Sequence, residues 1–265
     1  MVELHTAHGS DWSAWTGVGL AVVSILGYLA LVATTARPWP WQRTVLWVTG
    51  SAAAGLAMSG PLAAAADGDF VAHMAVHLLL GMIAPLLLVL AGPVTLLLRA
   101  LPVGWARALS RLLRSRPARF LTEPVVAATL SVGGLWLLYT TDLYPALHHR
   151  PALHLLVHAH VFVAGWLFTV AMISVDPLPH RRGHLHRSVV LILALAGHDV
   201  LAKFLYANPP VGVTAPSAET GAMLMYYGGD LVDLAIMVVL CAQWFRARNR
   251  RPHHPLTSLP TGVVT

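Results

Sequence analysis

Apolar residues along this chain come in seven long runs separated by short polar breaks. The runs cover approximately 13–35, 44–65, 71–98, 123–141, 152–173, 187–207 and 221–245. Each is close to or above the ~20 residues a helix needs to cross the hydrocarbon core of a bilayer. Inside lipid every backbone polar group must be satisfied within its own segment, which leaves helices as the spanning form for runs of this kind. The pattern predicts an all-α polytopic membrane protein, a bundle of seven transmembrane helices. The third run contains Pro85 and the pair Gly92-Pro93, which predicts a kink or a surface-lying end. No internal repeat or second domain is visible. The expected organisation is a short extracytoplasmic tail (1–12), a membrane domain (13–245) and a cytoplasmic tail (246–265). The first twelve residues hold no Lys or Arg and no small-residue cleavage site follows, so they read as a tail rather than a cleaved signal peptide.

Composition agrees. Of 265 residues, 57% are hydrophobic and only 11% charged, too few to cover a soluble domain of this length. Net charge is +6, but no aromatic-interleaved basic module is present, so nucleic acid is not an expected partner. One cysteine, Cys241, excludes an intrachain disulfide and any CxxC motif. No HExxH, GxSxG, P-loop or dinucleotide turn occurs, and the chain is not expected to be an enzyme.

The basic residues orient the bundle. Arg37 and Arg43 lie between runs one and two; Arg99, Arg107, Arg111, Arg114, Arg116 and Arg119 between three and four; Arg181, Arg182 and Arg187 between five and six; Arg246, Arg248, Arg250 and Arg251 after seven. If the runs alternate, all of these fall on one side, and only Arg150 and Lys203 do not. The opposite loops carry Asp67, Asp69, Asp142 and Glu219. The positive-inside rule then puts the N-terminus outside and the C-terminus in the cytoplasm. Two readings of 99–120, where arginines alternate with Trp105, Leu109, Leu112 and Leu113, stand side by side: an amphipathic helix on anionic lipid or a solvated basic loop.

The chain is histidine-rich, with fifteen in all, and depth sorts them. Run three enters from outside carrying His73 and His77; run five enters from outside carrying His154 and His158. Each is an HxxxH pair, one turn apart and ~40° around the helix, able to aim two imidazoles at one point. Run six carries His198 and Asp199 near mid-depth and Lys203 further out. Run seven carries Asp230 and Asp233 about three turns in. An ionisable group at the bilayer centre costs at least ~2.5–3.5 kcal/mol, so this set must face the bundle interior. Asp199 and Lys203, at i and i+4, can share a local ion pair. Two explanations remain: a metal site, for which imidazole suits Cu, Zn, Fe and Ni, and a metal-free polar network between helices. In the metal reading His73, His77, His154 and His158 are the primary ligands and His198 a fifth or exchange ligand. Asp230 and Asp233 serve as orienting or charge-compensating carboxylates, and Met74 and Met223 are candidate thioether ligands for Cu(I). The remaining histidines have plainer explanations: His160 points ~200° away from His158, His148 and His149 lie in a loop, His180, His184 and His186 lie among arginines, His253 and His254 lie in the tail, and His5 with His8 forms at most a weak outer copper site.

The stretch HMAVHLLLGMIAPLLLVLAGPVTLLLRALP (73–102) resembles the signature of the CtaG-type cytochrome c oxidase assembly proteins of bacteria. HLLVHAHVFVAGWLF (154–168) and YYGGDLVDLAIMVVLCAQWFR (226–246) are similar to that family's later motifs. The resemblance implies a seven-span protein of the bacterial plasma membrane, associated with assembly of caa-type haem–copper oxidase and with its copper supply. His73 and His77 match the first motif, His154 and His158 the second and Asp230 the GGD of the third, while His198 sits where the family often has a sixth-span histidine. Expected partners are oxidase subunits or a copper chaperone, together with the lipid bilayer. Three alternatives differ in kind: a haem-b electron carrier, since histidines on facing helices can ligate haem; a copper transport or resistance protein; and a purely structural scaffold.

Overall fold

The computed structural model describes residues 11–147, 149–173 and 175–249, without the side chains of 11–14. His5, His8, His148, His253, His254 and most of both tails lie outside the described residues. Among the described residues the secondary structure is helical, with no strand.

The helices follow the apolar runs, with breaks where the backbone chemistry requires them. Helix α1 covers Asp11–Thr34, and α2 (Trp41–Ala57) and α3 (Gly60–Ala66) divide the second run. They are bent by 45° at their junction, where Ser59 Oγ donates to the Gly55 carbonyl at 2.5 Å instead of capping α3. Next come α4 (Phe70–Leu90), α5 (Pro93–Ala100), α6 (Val103–Leu113) and α7 (Arg116–Leu121). Helix α8 covers Pro124–Thr140. It is followed by α9 (Leu143–Leu147), α10 (Pro151–Ile173), α11 (His184–Ala207) and α12 (Ala215–Asn249). Five helices, α1, α4, α10, α11 and α12, are long and apolar enough to cross a membrane, and the bent α2–α3 pair makes a sixth. Helix α8 is a shorter apolar helix.

The predicted irregularity of the third run takes two forms. Pro85 cannot donate to the carbonyl four residues back, and the turn before it, Leu79–Ile83, is a π turn that absorbs the mismatch. The real break comes at Gly92, whose φ of +68° turns the chain into α5. The start of α5 is held from across the fold: Asp176 accepts from Val94 N at 3.1 Å and from Thr95 N at 2.8 Å, and also from Thr95 Oγ1. A second π turn, Thr129–Gly133, interrupts α8.

Helix contacts run through small residues, as they do where lipid supplies no hydrophobic drive between helices. Ser24 of α1 and Ser51 of α2 bond at 3.0 Å. Helices α4 and α10 meet backbone to backbone, since a Cβ on Gly165 would stand 1.9 Å from the Gly81 carbonyl oxygen. Helix α12 packs along both α4 and α11 and forms the spine of the site.

The polar residues collect at two ends. At one end Asp67 lies 3.8 Å from His154 and Ser217 bonds Asp69. At the other, Arg43 and Arg99 stack on Trp39, Arg182 lies 3.8 Å from Glu123, and Arg181 donates to Gln243. Arg187, counted above with the loop arginines, is instead inside α11 and only 1% exposed. Its guanidinium donates to the Met172 carbonyl at 2.6 Å and lies 2.9 Å from His184 Nδ1, so it closes the end of α10 that the helix leaves without donors. Glu123 caps α8, accepting from Val125 N and Val126 N at 2.8 and 3.1 Å. Partial burial pushes the Glu123 carboxyl up, but the hydrogen bonds from Val126 N, His186 and Val125 N outweigh it and hold the group below the ordinary carboxylate range.

Candidate functional site

Helix α4 begins where Asp69 accepts from Val71 N and Ala72 N, a cap of the ordinary kind. That start turns His73 and His77 inward, and both are buried. His198 is buried on α11. His154 and His158 lie in the first turns of α10, half-buried.

Rather than converging, the histidines form pairs. His77 faces His198, with ring centroids 6.2 Å apart and planes 28° from parallel. Among the described residues, neither nitrogen of either ring has a hydrogen-bond partner. Four buried, unpartnered ring nitrogens are costly, because each such polar group forfeits roughly 1–3 kcal/mol. The second pair is His73 with His158, centroids 6.4 Å apart, and the third His154 with His158, at 4.2 Å. The Tyr139 hydroxyl lies 3.1 Å from His73 Nε2 and 3.9 Å from Met74 Sδ. His158 Nδ1 donates to the His154 carbonyl at 2.9 Å. Among the described residues no three His, Cys, Asp or Glu side chains are placed to hold one metal ion together. The expected four-histidine ligand set is therefore spread along the bundle axis. His73 and His77 sit one turn apart and meet different neighbours, while the His154 and His158 rings meet each other.

The GGD segment brings α12 close to both α4 and α11. A Cβ on Gly228 would meet Leu78 of α4 at 2.5 Å, and one on Gly229 would meet His198 Cε1 of α11, also at 2.5 Å. Two adjacent glycines thus let α12 hold both neighbours at short range. Of the acids, Asp233 is buried and borders the same cavity as His77 and His198. Asp199 faces Asp230 across the contact of α11 with α12. The expected close Asp199–Lys203 ion pair is not formed, since the Lys203 ammonium sits 5.1 Å over the Tyr226 ring. Met74 is fully buried, but its sulfur faces Tyr139. Met223 is 44% exposed and so lies apart from the buried histidines.

Two cavities meet at this site. The inner one is bordered by His77, His198, Asp233, Ser131, Thr169 and His160, with about 40 Å³ open to the centre of a water molecule. The outer one, about 10 Å³ by the same measure, is bordered by His73, His77, Tyr139 and His158. His77 and Val161 border both. Sequence reasoning missed Tyr139, Ser131 and Thr169, which are unremarkable singly in apolar runs. It set His160 aside because that ring points away from His158. His160 is exposed, yet its Nε2 donates to the Leu130 carbonyl in the π turn of α8 at 3.1 Å. The cavity reaches that flank of α10. An HxxxHxH reading (154, 158, 160) could have kept it in view.

Comparison with known proteins gives a family and three uncharacterized relatives. The profile described as cytochrome c oxidase caa3 assembly factor matches residues 26–247. An uncharacterized protein of Mycobacterium bovis is 32% identical over 264 residues, covering 90% of this chain and 40% of its own length. An uncharacterized protein of Mycobacterium leprae is 30% identical over 257 residues, covering 87% of this chain and 38% of its own length. The chain thus spans about two fifths of the length of the curated relatives it matches. No solved structure matches it. With the profile covering all the helices that carry the histidines and acids of the site, the chain belongs to the cytochrome c oxidase caa3 assembly factor family.

Proposed function

We propose that this chain acts without catalysis as an assembly factor for caa3-type cytochrome c oxidase, carrying copper as cargo in the His77–His198 pair. The observation that supports this reading is the set of four buried ring nitrogens without a protein partner. Neutral imidazole nitrogen is a good copper ligand, and the two buried rings stand near one another, 6.2 Å between centroids. Asp233, buried beside the pair, compensates the charge that the ion brings. Asp230, next to Gly229, acts with Asp199 as a more distant acidic reserve. An ion with an open coordination position can be passed on, which a closed four-histidine cage would resist. The inner cavity admits water-sized groups, about 40 Å³, and not a porphyrin ring, which favours copper over haem b.

In this reading the chain crosses the bacterial plasma membrane seven times, α2–α3 and α8 included. Its N-terminus is outside, and its arginine-bearing end is in the cytoplasm. The histidine end then faces the side where oxidase copper centres are filled, and the receiving partner is an oxidase subunit or a copper chaperone.

The test is copper analysis of the purified full chain beside His77→Ala and His198→Ala. The reading expects about one copper per wild-type chain and a large loss in each variant. Equal copper in all three would sink it.

A further inference from the structure

The rest of the histidines lead from the surface to the buried pair. His154 stands at the end of the bundle beside Asp67, whose carboxylate is 3.8 Å away, and both side chains are open to solvent. His158 is one turn deeper, with its ring 4.2 Å from that of His154. Its Nδ1 is committed to the His154 carbonyl, which fixes the tautomer and leaves Nε2 as the nitrogen with a lone pair to give. His158 and His77 border the outer cavity together, and His77 and His198 border the inner one. Beyond Asp233 the way is blocked by Met172, Ile173, Leu191, Ile236 and Leu240, each no more than 3% exposed, and by the buried cation Arg187.

We infer that these residues form a single-ended loading path: a monovalent soft cation is captured by His154 beside Asp67 and passes through His158 to the His77–His198 pair. It leaves by the same mouth. The inference rests on the copper reading above and adds the route, the order of steps and the absence of an exit at the arginine end. Each step is a ligand exchange. A bond from Cu(I) to the next imidazole nitrogen forms as the bond to the previous one breaks, and the ion stays Cu(I). The imidazoles stay neutral and no proton moves. His77 is the one imidazole that borders both chambers, and Val161 is the apolar wall beside it. A path closed toward the arginine end suits a protein that stores and hands over an ion, whereas transport across the membrane needs an opening there.

The route can be tested apart from the destination. Purified full-length protein is mixed anaerobically with Cu(I) held by a chromophoric chelator, and both the rate and the final extent of transfer are read. His158→Ala and Val161→Phe are expected to slow loading at least tenfold and to leave final occupancy within about twofold of wild type. His198→Ala is expected to lower occupancy itself. Val161→Phe removes no ligand, so it keeps the test valid if His158→Ala fails to fold. Loading at the wild-type rate in Val161→Phe, or in a folded His158→Ala, would overturn the path while leaving the buried site intact. Loss of final occupancy in His158→Ala to the level of His198→Ala would also overturn it, because His158 would then be a ligand of the resting ion. If the wild-type chain takes no Cu(I), the copper reading itself falls.

Discussion

Gly229 lies so close under His198 that a methyl group there would stand 2.5 Å from the imidazole Cε1. The ring cannot stay where it is once residue 229 has a side chain. Gly229→Ala is therefore expected to push His198 out of line with His77, at a cost of ~1–3 kcal/mol for overpacking. Copper affinity should fall at least tenfold in protein that still folds. Chelator competition checks this, and an unchanged affinity would mean that the His198 position does not matter for binding.

Gly165 makes the closest backbone approach of any glycine described here. A Cβ there would stand 1.9 Å from the Gly81 carbonyl oxygen, and backbone cannot rotate aside as a side chain can. Gly165→Ala should be the most damaging single-methyl change in the bundle, separating α4 from α10 and costing ~3 kcal/mol or more. The measurement is the thermal unfolding midpoint in detergent, with Gly19→Ala, which meets nothing within 4 Å, as the control that should stay near wild type.

The Tyr139 hydroxyl joins His73 to Met74. Removing it in Tyr139→Phe deletes the buried hydrogen bonds to His73 Nε2 and Met74 Sδ, together worth roughly 1–2 kcal/mol net. Stability should fall by that amount, while copper at the His77–His198 pair stays as it was. A parallel loss of copper would make His73 part of the resting site.

Glu123 offers a pH-dependent effect away from the spans. Its carboxyl is held below the ordinary range by the α8 backbone and His186, so it titrates lower folded than unfolded. The stability it contributes is therefore present above the ordinary carboxylate value and is lost as pH falls through the depressed one. Glu123→Gln should remove that acid-side slope and cost ~1 kcal/mol at neutral pH, the usual size of a cap. Unfolding midpoints of both proteins across the acid range decide it. Parallel curves would count against the cap.

Much of the fold was legible in the pattern of apolar runs, because helix length in a bilayer is set by thickness and the runs are bounded by proline, glycine and arginine. The turn at Gly92 was legible for the same reason, since Gly92-Pro93 is a local signal. The bend after Ala57 and the π turns before Ala84 and Gly134 were not, because they come from how backbone groups find partners after a misfit. At the site, HxxxH spacing predicted the burial of His73 and His77. It could not predict which imidazoles meet, because the rotation of each helix is set by close contacts at Gly165, Gly228 and Gly229. The expected Asp199–Lys203 pair shows the same limit. Spacing of i and i+4 offers the contact, yet Asp230 and the Tyr226 ring on α12 are the partners taken.

The paired glycines of α12 have one further consequence. Helix α12 is fitted to its two neighbours by two missing methyl groups, Gly228 against the Leu78 side chain of α4 and Gly229 against the His198 ring of α11. A single carbon added at residue 228 would press on Leu78, next to His77 in sequence, and one added at 229 would press on His198 itself. The site is built like a calliper with an independent adjustment on each jaw. Relatives could therefore be tuned to a larger or smaller occupant without changing a single ligand.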